Sequence, residues 1–234
     1  MPKGERQARR ASDRGRYGRL SRERVLASAL ELVDREGLSA LSMRRLGSEL
    51  GVEAMALYRY ASSKDALLDG LVEALYLELE ERLADGAEGS SWRAELQRVA
   101  KATYDVCLTH PRAVPLLTTR MLAVPLARRP LAVLKDHERV LALLRDAGFD
   151  DDVVAVLFRA FNSWLIGYVS EELRPMVDNP EESDPAFRLG LHRMPPQELP
   201  RLRRFAPALS EPRGPEGLAV GLDALIDRFT GPRA

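Results

Sequence analysis

The 234-residue sequence predicts an all-α protein, with a small three-helix unit at the front and a larger helical body behind it. Apolar residues recur three and four positions apart in one segment after another. No segment sustains the alternation of a half-buried strand. Serines stand where the helical patterns begin and glycines where several of them stop, as caps and stops do.

Residues 1–20 carry seven Lys or Arg and few apolar side chains, and they read as a mobile basic tail, either a solvated terminus or a DNA-contacting arm. From Ser21, an N-cap, the residues Val25, Leu26, Ala29, Leu30 and Val33 mark a first helix at about 22–36, stopped by Gly37. Ser42 caps a second, short helix at 43–50, with Leu46 and Leu50 inward and Gly51 at its end. A third, at 54–60, turns Leu57 inward. Ser62 or Ser63 caps a long fourth helix over about 64–84, with Leu67, Leu68, Leu71, Leu75 and Leu79 along one face. Asp85, Gly86, Gly89 and Ser90 break it, which sets a front domain at 21–68 (its last helix running on to about 85) and a body at 90–231. Helical segments are expected in the body at 92–109, 112–122, 128–147, 151–173, 197–209 and 215–230. Six prolines between 174 and 200 predict a long loop.

Hydrophobic residues make up 45%, enough for a sizeable core. No apolar run approaches the roughly 20 residues of a membrane span, and the polar first residues argue against a secretory signal. Cys107, the single cysteine, lies in an apolar helical pattern and reads as a small core residue. Together these imply a cytoplasmic protein with no membrane partner. The net charge is zero, but residues 1–64 hold 14 basic and 8 acidic side chains, a net of +6, balanced by −6 in the remainder. A basic front and an acidic body imply that only the front meets phosphate.

The stretch from Leu38 to Tyr60 reads as two short helices meeting across Gly51, where glycine permits a left-handed corner. Leu46, Leu50, Val52 and Leu57 pack inward, which leaves Glu53, Ala54, Met55, Ala56, Tyr58, Arg59 and Tyr60 on the outer face or its edges. Small apolar side chains there suit thymine methyls, Arg44 suits guanine, and tyrosine hydroxyls and Lys64 suit phosphate. By periodicity alone an ordinary helical hairpin with packed tyrosines fits as well.

The residues Ser42 to Leu46, Gly51 to Glu53, Leu57 to Tyr60 and Ser63 to Asp69 closely resemble the N-terminal domain of the tetracycline-repressor (TetR) family of bacterial regulators. The resemblance runs almost continuously from about 20 to 70. It implies a helix-turn-helix DNA-binding domain followed by a ligand-binding and dimerisation domain. By that resemblance Arg44 contacts bases, Ala54, Met55, Ala56 and Tyr58 lie on the recognition helix, and Ser42, Tyr60 and Lys64 hold phosphates. Arg45, Glu53 and Arg59 complete the expected DNA-binding set. Tyr60 departs from the family, which often has histidine there.

A weaker resemblance in the body rests on Leu143 to Phe149, Ile166 to Tyr168, Glu171, Glu172 and Gly221 to Ile226. It implies a homodimer paired through a four-helix bundle, with Val153, Leu157, Leu165, Leu218, Leu222, Leu225 and Phe229 as interface residues. It also implies a small-molecule effector. The clustered aromatics Phe158, Phe161, Trp164 and Tyr168, joined by Tyr104, Leu117, Met121, Asn162 and Glu171, are its expected pocket. The family's drug-contacting histidines fall at Glu80 and near Leu116 here, so no metal-bound tetracycline, metal site or other cofactor is expected. An enzyme finds no support: no phosphate-binding glycine loop, metal-ligand spacing or nucleophile set is present. The reading that results is a regulator of palindromic double-stranded operator DNA, a repressor released by its effector.

Overall fold

The computed structural model describes residues 20–84, 91–178 and 197–230, with parts of 181–195 between the last two. The expected basic tail lies outside the described residues, which begin at Leu20. Among them every regular element is helical. Two compact units divide between Leu71 and Val72.

The first unit contains α1 (Arg22–Glu36), α2 (Met43–Leu50), α3 (Ala54–Leu57) and the start of α4 (Lys64–Arg82). Its boundaries follow from local capping. The Ser21 hydroxyl accepts the Arg24 amide at 3.2 Å, and the Ser42 hydroxyl accepts that of Arg45 at 3.1 Å. The Ser63 hydroxyl accepts from Ala66 at 3.0 Å, so of the two serines weighed for the α4 cap it is Ser63 that caps. Each bond satisfies an amide that a helix start leaves open.

The corner between α2 and α3 is tighter than a glycine stop alone requires. Gly51 sits at φ +66°, and the Val52 amide donates to the Gly47 carbonyl at 2.9 Å. The chain then passes so near α2 that a Cβ on Gly47 would lie 2.8 Å from the Val52 carbonyl oxygen. Leu46, Leu50 and Leu57 close the inner face, all buried. The third helix is shorter than expected, ending at Leu57 rather than near 60. The amides of Tyr60 and Ala61 both reach the Leu57 carbonyl, at 2.8 and 3.0 Å, which tightens residues 58–60 into a turn.

The second unit contains the rest of α4, α5 (Trp92–Thr109), α6 (Pro115–Ala123), α7 (Leu131–Asp146), α8 (Asp151–Asp178), α9 (Pro200–Ser210) and α10 (Gly214–Thr230). At its centre α8 packs against α5, α6, α7 and α10. Phe161, Leu157, Leu165, Val169 and Leu173 form its buried side. Arg93 of α5 pairs with Asp227 of α10 at 2.7 Å, and Gln97 donates to Asp223 at 2.8 Å. Trp92 meets Phe149 edge to face. Cys107 is a buried core residue, as read, and burial pushes its thiol up to about 12.

Two expectations need correction. The helix expected to stop at 173 continues through Pro175 to Asp178, so the predicted loop begins later. Pro175 costs one ladder bond near the helix end, while Leu173 is anchored in the core. By length and composition α8 is also apolar enough for a membrane span, contrary to the expectation that nothing approaches one. It is instead the packed centre of a helical unit, yet only 28% of its apolar window is buried there.

Because backbone faces Gly47, Gly47→Ala should destabilise the first unit by about 1–3 kcal/mol, read as a lowered urea midpoint. A midpoint equal to the parent's would mean that the corner has slack.

Candidate functional site

The outer side of the α2–α3 corner gathers most of the side chains the sequence singled out. Arg44, Glu53, Met55, Tyr58, Arg59 and Lys64 are exposed, Met55 at 73%. Ala54, Ala56 and Ser42 are half-buried beside them. Among the described residues Arg44 and Arg59 make no ion pair, so their guanidinium groups are open to an incoming phosphate or base. The Ser42 hydroxyl accepts the cap bond through its oxygen and keeps its own proton to donate.

Two members of that set have other work. Arg45 binds Glu36 with its Nε at 3.2 Å and Glu49 with its Nη1 at 3.0 Å, while Arg35 adds a bond to Glu49 at 2.9 Å. Exposed pairs of this kind contribute little stability; their effect is to turn Arg45 toward α1 and away from the face carrying Arg44. The four-residue spacing of Arg45 and Glu49 was visible in the sequence, whereas the pairing with Glu36 was not. Tyr60 donates its only hydroxyl proton to the Leu20 carbonyl at 2.8 Å. That proton is unavailable to a phosphate, so Tyr60 ties down the start of the first unit instead.

In the body the expected pocket residues separate onto two flanks of α8. Trp164 and Tyr168 face α10: a Cβ on Gly221 would lie 2.8 Å from the Trp164 ring, and the Tyr168 hydroxyl donates to Gly214 at 2.6 Å. Phe158 instead meets His137 of α7 edge to face. Asn162 bonds the Phe158 carbonyl of its own helix at 2.9 Å. Phe161 and Leu117 are core residues, and the side chain of Met121 lies outside what is described. Among the described residues, Tyr104 and Glu171 of the expected set line one cavity, of about 280 Å³, among α5, the end of α8 and the end of α9. A second cavity of about 170 Å³ lies between α6 and α8, and a third of about 340 Å³ between α5 and α10.

The expected pairing residues also need correction. Leu157, Leu165, Leu218 and Leu222 are buried in their own protomer, at 4% exposure or less. They hold α8 and α10 together and are not free to meet a second copy. Val153, Leu225 and Phe229 are half-buried. The outward side chains are different ones: Val156 is 52% exposed and Val220 72%, with Ser163, Gly167 and Ala224 exposed too.

Residues 25–71 match bacterial regulatory proteins of the tetR family, and residues 85–227 match the tetracyclin repressor-like C-terminal domain. The second match alone spans more than half of the chain. The chain belongs to the TetR family. It is 32% identical over 164 residues to the HTH-type transcriptional repressor DrrR1 of Streptomyces coeruleorubidus, covering 70% of this chain but only 58% of that one. It is 29% identical over 219 residues to the class D tetracycline repressor of Escherichia coli, covering 90% of this chain and 89% of that one. The structure of the Streptomyces coelicolor TetR family protein ActR in complex with actinorhodin superposes with a TM-score of 0.71 at 25% identity, covering 90% of this chain and 95% of that one. These relatives are regulators, in keeping with a non-enzymatic reading.

This TetR-family body also carries a buried polar cluster that the sequence did not flag. Arg129 Nη1 donates to His137 Nε2 at 3.1 Å. Burial and that guanidinium lower the His137 pKa to about 4, so the ring is neutral. Beside it, burial raises the Asp136 carboxyl to about 6, opposed by Arg139. Asp136 Oδ1 and His137 Nδ1 are buried without a hydrogen-bond partner. A carboxyl whose folded pKa lies above its unfolded value costs stability at neutral pH, and the cost vanishes as pH falls toward 4. Asp136→Asn should therefore raise stability by about 1–3 kcal/mol at neutral pH, with the gain shrinking at about pH 4.5. Urea titrations at the two pH values check it; a gain that is equal at both would contradict the assignment.

Proposed function

We propose that the protein is a sequence-specific DNA-binding transcriptional repressor that a small-molecule effector releases from its operator. The observation that carries this is the division of labour at the α2–α3 corner. Its apolar side chains are sealed inward, and Arg44, Met55, Tyr58, Arg59 and Lys64 stand outward together. In this reading Arg44 addresses a base edge and Ala54, Met55 and Ala56 approach thymine methyls. Ser42, Tyr58 and Lys64 hold phosphates, and Glu53 flanks the entry to α3. A repressor of chromosomal operators works in the cytoplasm.

The protein acts as a homodimer on a palindromic site, whose half-sites lie about 34 Å apart for one DNA turn. The outward faces of α8 and α10, with Val156, Gly167, Val220 and Ala224, are the pairing surface. The exposed Val156 and Val220, with the small residues Ser163, Gly167 and Ala224 near them, support that choice. The body takes the effector. The helix α4 has residues in both units, and through it a change in the body alters the spacing of the reading heads. The effector must bind the released state better than the DNA-bound state.

On an operator selected from random DNA, Arg44→Ala should cost about 1–3 kcal/mol of specific affinity and relax one base preference. An unchanged footprint would remove Arg44 from the reading set. Val220→Glu places a charge in the pairing surface and should yield monomers in analytical ultracentrifugation with weakened operator binding. A dimer of parental stability would move the interface elsewhere.

A further inference from the structure

The cavity among α5, α8 and α9 has a chemical character that no other cavity described here shares. Its charged wall is anionic: Glu171, Glu172 and Glu211 line it, and among the described residues no Lys, Arg or His does. Arg213 follows Glu211 closely in sequence but does not line the cavity; its charge acts on the Tyr168 hydroxyl. Apart from Ser210 and Tyr104, the remaining wall is apolar, with Met176 and Leu209 among its residues.

Tyr104 supplies an independent indication that something belongs there. Its side chain is 95% buried, at 5% exposure, and it lines the cavity. Among the described residues its hydroxyl has no hydrogen-bond partner, so its oxygen is free to accept from whatever enters the cavity it lines. Its ring lies 6.4 Å from that of Tyr168, so two aromatic rings stand near the carboxylates. Burial and the neighbouring Glu172 and Asp105 raise the Tyr104 pKa, so the hydroxyl stays protonated.

We infer that this cavity is a site for a small, amphipathic organic cation, a protonated amine carrying one apolar group. The ammonium answers the carboxylates, and its N–H groups donate to the idle Tyr104 oxygen. The apolar group fills the space beside Met176 and Leu209. Carboxylate attraction strengthens where apolar walls lower the local dielectric, and ring faces near a cation add to it. A bare divalent metal is a poor occupant, because it requires several oxygens converging at about 2.0–2.6 Å and among the described residues no three carboxylates converge in that way. At about 280 Å³ the space suits a compact ligand. Anionic ligands are repelled. This inference rests on the reading of the body as the effector-binding unit, and it names the effector's class.

The test uses the full chain and three probes of nearly equal shape: 4-tert-butylbenzylamine, 4-tert-butylbenzyl alcohol and 4-tert-butylbenzoate, with benzylamine as a smaller cation. Calorimetric titration should show the amine binding at least about tenfold more tightly than the alcohol, and the benzoate not binding. In the double variant Glu171→Gln, Glu211→Gln, checked by its thermal unfolding, the amine should fall to within about threefold of the alcohol. Equal binding of amine and alcohol to the parent, or no binding of either cation at millimolar concentration, overturns the inference. A gel shift with the selected operator runs in parallel. Operator binding without cation binding defeats the cation site and leaves the regulator reading intact. Charge-dependent cation binding that leaves the operator complex unchanged supports the site and defeats effector release.

Discussion

The body depends on the burial of one side of α8. Phe161, Leu157, Leu165, Val169 and Leu173 fix that helix among α5, α6, α7 and α10, and two of the three body cavities have a wall on it. Its exposed side is mixed, with Val156 and the small Ser163 and Gly167 beside Arg159 and Glu171. In the proposed dimer the same helix holds the core and takes part in pairing, with different residues in each role.

The reading head solves a smaller version of the same problem. Two short helices have little cooperative stability of their own. They are held by close backbone approach at Gly47, by the left-handed corner at Gly51 and by three buried leucines. The Tyr60 bond to Leu20 ties the first edge, and the local ion pairs orient Arg45. With the interior rigid and the edges tied, the exposed side chains are presented from a fixed frame.

Much of this was legible because it is local. Ser21, Ser42, Gly37 and Gly51 act on backbone groups three or four residues away, so one sequence suffices to find them. The inward leucines of the reading head follow from helical phase. What escaped was decided by distant contacts. Arg44 and Arg45 are neighbours of one type, and the pairing of Arg45 with Glu36 across a turn separated their roles. Tyr60 looked like a phosphate donor until Leu20, forty residues earlier, took its proton. On α8 and α10 the strongest apolar stripe was read as the interface, yet it faces the protomer's own core. The exposed side carries Arg159 and Ser163 on α8 and Asp227 on α10, but Val156 and Val220 lie there too, so polarity marked the outside only in part. The aromatic cluster misled for a related reason: neighbours along a helix can point to opposite flanks, as Phe158 and Trp164 do.

The residue Gly214, at the start of α10, is gripped from both sides. Its amide donates to Glu172 at 2.6 Å, and its carbonyl accepts from Tyr168 at 2.6 Å. Glu172 is also a wall of the anionic cavity. One carboxylate thus serves two claimants, a backbone amide and whatever positive charge enters the space beside it. Drawing it toward one weakens its hold on the other. The first turn of α10 is in this sense mortgaged to the occupancy of the cavity, and α10 is the helix that carries Val220 on its outer side.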